Sequence, residues 1–228
     1  MTASPAIGGP VKERIAAVRQ RIASACERAG RSPESVTLIA VSKTHPVEAV
    51  MEAWRAGITD FGENRVQEAL PKIEATLEAR VKPTWHLIGH LQSNKAKAAA
   101  RPFAILHGVD SERALRALSA ATFHPVRVMF EVNVAAEESK FGVSPSQVGQ
   151  LMDSARALPN IVVEGLMTVA PHVDDPEHVR PVFRALRELA ARHSVVSLSM
   201  GMTDDFEVAI EEGATHVRIG RAIFGERQ

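Results

Sequence analysis

The sequence predicts a single (β/α)8 barrel of the TIM type with an extra helix at its N-terminus. Three observations lead there. From residue 36 onward, apolar runs of strand length alternate with amphipathic helical stretches, eight times over. Eight such units in about 200–250 residues fit a closed barrel of parallel strands, and the chain has 228 residues. No composition break or linker interrupts the alternation. A doubly wound open sheet is the competing architecture, weakened because no glycine-rich dinucleotide fingerprint follows the first strand.

Residues 1–9 are small, glycine-containing and aperiodic, which predicts a flexible tail and leaves 10–228 as the barrel domain. Val11, Ile15, Val18, Ile22, Cys26 and Ala29 recur at helical spacing, and Gly30 stops that helix before the first strand. The first strand is expected over 36–42. Pro46 opens a helix striped by Val47, Val50, Met51 and Trp54 and ended by Gly57. A strand over 58–61 follows, then a helix carrying Val66, Leu70, Ile73 and Leu77, which Pro71 should kink or split. Strands over 85–88 and 103–106 flank an Ala/Lys helix over 93–101. A helix bearing Leu115 and Leu118 leads to the clearest strand, 126–132, where Val126, Val128, Phe130 and Val132 alternate with Arg127, Met129, Glu131 and Asn133. Ser144-Pro145 and Asp175-Pro176 open the next two helices, on either side of a strand over 161–166. The last two strands are expected over 195–199 and 215–219, with a short helix over 204–210 between them.

Composition narrows the function. Apolar residues make up 45% and charged residues 24%, as in an ordinary soluble protein. Equal numbers of acidic and basic side chains argue against nucleic acid or an anionic membrane as the main partner. The single cysteine, Cys26, has no intramolecular partner and suits a reducing cytoplasm. No run reaches transmembrane length and no signal-peptide core precedes the domain, so a cytoplasmic location is expected.

In such barrels the working face lies at the C-terminal ends of the strands. Lys43 falls there, at the end of the run Leu38-Ile39-Ala40-Val41-Ser42. Desolvation lowers the pKa of a lysine, and the neutral amine is what attacks a carbonyl. If Lys43 points inward, Val41 and Ile39 do too. Ser199-Met200-Gly201-Met202-Thr203 and Arg218-Ile219-Gly220-Arg221 follow the seventh and eighth strands, where these barrels commonly hold phosphate. Gly201 and Gly220 would let backbone N–H groups approach an anion, and Ser199 and Thr203 add hydroxyl donors. Other signals are discounted. Gly220 and Gly225 have Walker-loop spacing, but Glu226-Arg227 stands where Lys-Ser/Thr is required. His86 and His90 bracket a strand end rather than sharing a helix face, and no metal site is expected. Lys95 and Lys97 read as a solvated helix face, and 137–140 as a solvated loop.

Several ordered motifs carry a resemblance. Ala40-Val41-Ser42-Lys43-Thr44-His45-Pro46, Phe61-Gly62-Glu63-Asn64-Arg65 and Trp85-His86-Leu87-Ile88-Gly89-His90 are three of them. Gly165-Leu166-Met167, Leu198-Ser199-Met200-Gly201-Met202-Thr203 and Val217-Arg218-Ile219-Gly220 are the others. Together, from about Val11 to Arg227, the chain resembles the pyridoxal phosphate homeostasis proteins, relatives of the N-terminal barrel of alanine racemase. The resemblance implies pyridoxal 5′-phosphate (PLP) held as a Schiff base on Lys43. It implies phosphate contacts from Ser199, Met200, Gly201, Thr203 and Gly220, pocket walls from Asn64 and Met167, and Arg218 facing the pyridine nitrogen. Thr203 stands where serine is more usual, which keeps the hydroxyl. Arg221 stands where Ser or Thr is more usual, so a guanidinium or a backbone N–H would have to serve there.

The expected function is PLP storage, buffering or delivery to PLP-dependent apoenzymes by a cytosolic monomer, with no catalytic residues assigned. An amino-acid racemase and a Schiff-base aldolase are the rival readings. Racemisation in the related enzyme uses a second base, a tyrosine from an additional C-terminal domain of the partner subunit. This sequence contains no tyrosine and ends within about ten residues of its eighth strand, so turnover is not expected.

Overall fold

The strands Thr37–Val41 (β1), Asp60–Glu63 (β2), Thr84–His90 (β3), Ile105–Val109 (β4), Val126–Glu131 (β5), Ile161–Met167 (β6), Ser197–Ser199 (β7) and His216–Ile219 (β8) pair in sequence order, all parallel. β8 closes onto β1, with Leu38 opposite Val217 and Ala40 opposite Ile219. This architecture comes from a computed structural model, which describes residues 10–137 and 140–225. The expected tail at 1–9 and the Glu226-Arg227 pair lie outside the described residues.

A helix precedes β1 and one follows every strand: Val11–Arg28 (α1), Val47–Arg55 (α2), Val66–Glu78 (α3), Ala96–Ala99 (α4), Glu112–Ala121 (α5), Val148–Arg156 (α6), Arg180–Arg192 (α7), Phe206–Glu211 (α8) and Arg221–Phe224 (α9). α1 buries Val11, Ile15, Val18, Ile22 and Cys26 on one face. It stops where Gly30 turns left-handed (φ 63°), a conformation glycine adopts without the steric cost of a Cβ. Its Arg14 Nε donates to the Ile223 carbonyl at 2.7 Å, tying the extra helix to α9.

Burial explains where the elements depart from the expected boundaries. β2 and β4 each begin two residues later than their apolar runs, because Ile58 and Phe103 are buried in the approach to the strand rather than in its ladder. α3 runs unbroken through Pro71, where a split was one expected outcome. The ring forfeits only the bond to the Gln67 carbonyl, and buried Val66, Ala69 and Thr76 hold both flanks against the barrel. Leu77, expected in the apolar stripe, is exposed. The Ala/Lys segment forms a 3-10 turn, Ser93–Lys95, before the four-residue α4.

The period of two sorts each strand into an outer and an inner set. Ala40, Phe61, Leu87, Leu106, Val128, Phe130, Leu166 and Val217 belong to the main core between strands and helices. The inner set differs from the branched apolar layers usual in such barrels. Ile105, Met129 and Met167 form a small separate cluster. His86, His107, Glu131, Ser199 and Arg218 are also buried.

Candidate functional site

At the C-terminal ends of the strands lies a cavity of about 620 Å³. Val41 and Lys43 both face it, as the alternation along β1 predicts. The ladder continues one residue past β1, with Ser42 N donating to the Gly62 carbonyl at 3.1 Å. Thr44 then takes a left-handed conformation (φ 66°), which turns the chain toward Pro46 and α2.

Ser42 is gripped from below. Its hydroxyl donates to Glu63 Oε1 at 2.7 Å, and Lys72 Nζ from α3 donates both to that oxygen and to the Ser42 carbonyl, each at 2.7 Å. Glu63 is fully buried. The residue before Lys43 is thus fixed through side chain and backbone together. This clamp is not legible in the sequence beyond Glu63 standing in the Phe61-Gly62-Glu63-Asn64-Arg65 motif. A glutamate on an apolar strand, nine residues before a lysine on the following helix, is the signal that was available.

The remaining walls come from five other strand ends. Asn64 follows β2, Ile88 lies on β3 and Val169 follows β6. Met202, Thr203 and Asp204 follow β7, while Arg218, Gly220 and Arg221 belong to the end of β8 and its continuation. Among the described residues that line the cavity, the lysine and arginines are Lys43, Arg218 and Arg221 and the carboxylate is Asp204, which is hydrogen-bonded to Arg221. Val41, Ile88, Val169 and Met202 supply apolar surface. An excess of cations beside apolar walls suits a flat ring carrying an anionic group.

Five of the nine residues expected in the site therefore line the cavity: Lys43, Asn64, Thr203, Arg218 and Gly220. The other four are not among its lining residues. Met167 packs inside the barrel with Ile105 and Met129. Met200 is buried, its N–H donating to the His216 carbonyl at 3.2 Å. Gly201 (φ 91°) has no room for a side chain, since a Cβ would stand 2.6 Å from that of Ala209 and 2.9 Å from Phe206 Cα. Its glycine is explained by the seating of α8. A Cβ on Gly220 would stand 3.2 Å from the Val41 carbonyl, so close approach of β8 to β1 constrains that position.

Ser199, the fourth, joins a chain of hydrogen bonds through the barrel. Arg218 donates to Ser199 Oγ at 2.6 Å and to the Thr168 carbonyl at 2.9 Å. Ser199 Oγ lies 2.8 Å from His107 Nδ1, His107 Nε2 lies 3.0 Å from His86 Nδ1, and His86 Nε2 lies 3.0 Å from Asp60 Oδ1. One assignment of protons satisfies every link with both rings neutral. Arg218 donates to Ser199, Ser199 to His107, His107 to His86, and His86 to the Asp60 carboxylate. Burial first, and then the cost of a further positive charge beside His86, His216 and Arg218, holds the His107 pKa well below the usual histidine range. Burial and His86 likewise bring His216 down to about 4. Burial lowers Arg218 to about 10 against the pull of Asp205 and Glu131, so it stays cationic at neutral pH. Glu131, the inward residue ending β5, is raised to about 7 by burial and by Asp110, with Arg218 opposing. His107 and Asp60 were not singled out in the sequence. The interruption of the apolar strand Ile105–Val109 by a histidine is the trace they leave.

Residues 14–228 match the family model described as alanine racemase, N-terminal domain. A pyridoxal phosphate homeostasis protein from Aquifex aeolicus is 44% identical over 225 residues, spanning 95% of this chain and 98% of that one. The chain belongs to the pyridoxal phosphate homeostasis protein family. Its Pseudomonas aeruginosa relative of the same name is 44% identical over 222 residues, spanning 95% of this chain and 96% of that one. A solved family structure, PipY of Synechococcus elongatus with PLP bound, superposes with a TM-score of 0.80 at 35% identity and covers 94% of this chain and all of that one. Among the described residues, no helix is long and apolar enough to cross a membrane.

Proposed function

We propose that this protein holds PLP covalently on Lys43 and stores, buffers or delivers it within the cytoplasm, with no robust turnover of its own. The observation that carries this reading is a lysine on the wall of a cavity of about 620 Å³ whose other charged groups are mainly cationic. The residues present fit the cofactor. Aldehyde, ring and phosphate each find suitable chemistry there: an amine, apolar walls, and a hydroxyl with guanidinium groups.

When bound, the cofactor would supply an aldehyde carbon for condensation with the Lys43 amine, with water as the leaving product. Every other role falls to the chain. The Ser42–Glu63–Lys72 clamp fixes the backbone that carries the amine. Thr203, Gly220 and Arg221 are assigned to the phosphate, with Arg221 supplying a guanidinium where the family more usually has a hydroxyl. Ser199, Met200 and Gly201 would support that region from behind, and Met167 would fill the barrel beneath it. Asn64 lines the pocket beside the ring, and Arg218 is assigned to the ring nitrogen. A guanidinium that remains charged at neutral pH cannot accept a proton, so it leaves that nitrogen unprotonated and a poor electron sink. This supports a carrier over a racemase. Delivery to PLP-dependent apoenzymes by a monomer completes the proposal.

Titration of the purified protein with PLP and with unphosphorylated pyridoxal tests the assignment. Charge-assisted hydrogen bonds contribute about 1.5–3 kcal/mol each. Loss of two such bonds predicts affinity weaker by about a hundredfold or more for pyridoxal. Equal affinities would refute the phosphate cradle.

A further inference from the structure

Beside the cofactor cavity, three side chains from consecutive strand ends converge. His90 ends β3, Asp110 directly follows β4 and Glu131 ends β5. One ligand atom from each lies within 4.8 Å of the other two. We propose that His90, Asp110 and Glu131 form a binding site for a divalent cation of intermediate hardness, such as manganese or ferrous iron.

The first support is the state of the polar atoms. Glu131 is 7% exposed, and its Oε2 is buried with no hydrogen-bond partner among the described residues. A buried carboxylate oxygen without a donor is costly, and each such group calls for an explanation. His90 Nδ1 is also buried. It lies 3.1 Å from Asp110 Oδ2, close enough for a hydrogen bond, yet its orientation does not make one. Two ligand atoms at that spacing with no hydrogen bond between them fit two ligands of one ion. With metal–ligand bonds of about 2.0–2.2 Å, neighbouring ligand atoms stand roughly 3.0–3.6 Å apart. His90 and Asp110 already meet that spacing. Glu131 stands within 4.8 Å of both and would have to close by at most about 1–2 Å, within the reach of a side-chain rotation.

Second come the groups that hold these side chains. The His90 ring stacks on Phe141 at 4.2 Å between centroids and 7° between planes, which fixes its orientation. The N–H of Gly142 donates to Asp110 Oδ2 at 3.3 Å. Ordering of first ligands by such outer contacts is general in metal sites.

Third, Lys140 and Arg218 direct their hydrogen bonds to other partners. Lys140 Nζ donates to Glu137 Oε1 at 2.6 Å and lies 3.4 Å from the Val169 carbonyl. Arg218 donates to Ser199 and Thr168. Glu131, Asn133 and Lys140 line a cavity of about 190 Å³, which leaves room for water or a ligand atom to complete the coordination. One imidazole with two carboxylates is a donor set for manganese or ferrous iron rather than for a closed structural zinc site.

The site is independent of Lys43, so its test is separate from that of the cofactor. The full chain is stripped with a chelator and titrated with Mn2+, and the free ion is followed by its electron paramagnetic resonance signal. The expected result is one saturable site, with binding at least about tenfold weaker in Asp110→Asn and Glu131→Gln. Pulsed resonance of the bound ion should show coupling to an imidazole nitrogen that disappears in His90→Gln. That coupling in the wild-type protein decides the matter if a variant fails to fold. No saturable binding below millimolar Mn2+, affinity unchanged in the folded variants, or a bound ion with no nitrogen coupling would overturn the proposal.

Discussion

Replacing Lys72 by methionine tests how the strand end that carries Lys43 is held. Methionine keeps an apolar stem of similar length and removes the ammonium that donates to Glu63 and to the Ser42 carbonyl. Among the described residues Glu63 would keep only the Ser42 hydroxyl as a donor, in a position with no side-chain exposure. Removing one partner of a buried ion pair costs about 3–5 kcal/mol. The Lys72 side chain retains 12% exposure, so water can partly replace it, and the lower end, about 3 kcal/mol, is expected. For a domain of this size that corresponds to a fall in Tm of about 6–12 °C. Urea unfolding measures the difference. The double variant Lys72→Met/Glu63→Gln removes the stranded charge and should recover more than half of the loss, because the cost lies in an unpaired carboxylate. A single-variant loss below about 1 kcal/mol, or a double variant whose loss equals the sum of the two singles, would refute the clamp.

Two further outcomes are expected. His216 has its pKa lowered to about 4 from 6.5, so its contribution is complete above pH 6.5 and is lost as pH falls through 4. The stability advantage of the wild type over His216→Gln should therefore shrink by about 3 kcal/mol between pH 7 and pH 4; a constant difference in denaturant midpoints across that range would show that the ring is not held neutral. The cofactor-loaded protein should show no appreciable interconversion of L- and D-alanine in chiral chromatography after long incubation. Turnover of roughly 1–1000 per second that vanishes in Lys43→Ala would replace the carrier reading with the racemase.

The barrel was legible because eight apolar runs alternate with amphipathic stretches, and burial enforces both periods. Lys43 was legible for the same reason: a charge ending a buried strand is conspicuous, and Val41 shares its face. Strand starts were less so, since Ile58 and Phe103 are buried without joining a ladder. The division of the site into cavity wall and supporting layer was not legible at all. Ser199 and Thr203 look alike as hydroxyls near a strand end, yet one is enclosed between Arg218 and His107 while the other faces the cavity. The links from Asp60 to His86, His107 and Ser199 join β2, β3, β4 and β7, residues brought together only by barrel closure. A linear sequence shows which residues share a strand face; it does not show which of them meet across the interior.

Borohydride reduction of the PLP-loaded protein followed by peptide mapping reads out the covalent link itself. Reduction converts the carbon–nitrogen double bond into a stable secondary amine, so the cofactor stays on the residue that held it. A single modified peptide carrying the adduct on Lys43 is expected, with no labelled peptide from Lys43→Ala. An adduct on any other lysine, or none in a protein that binds PLP stoichiometrically, would contradict it.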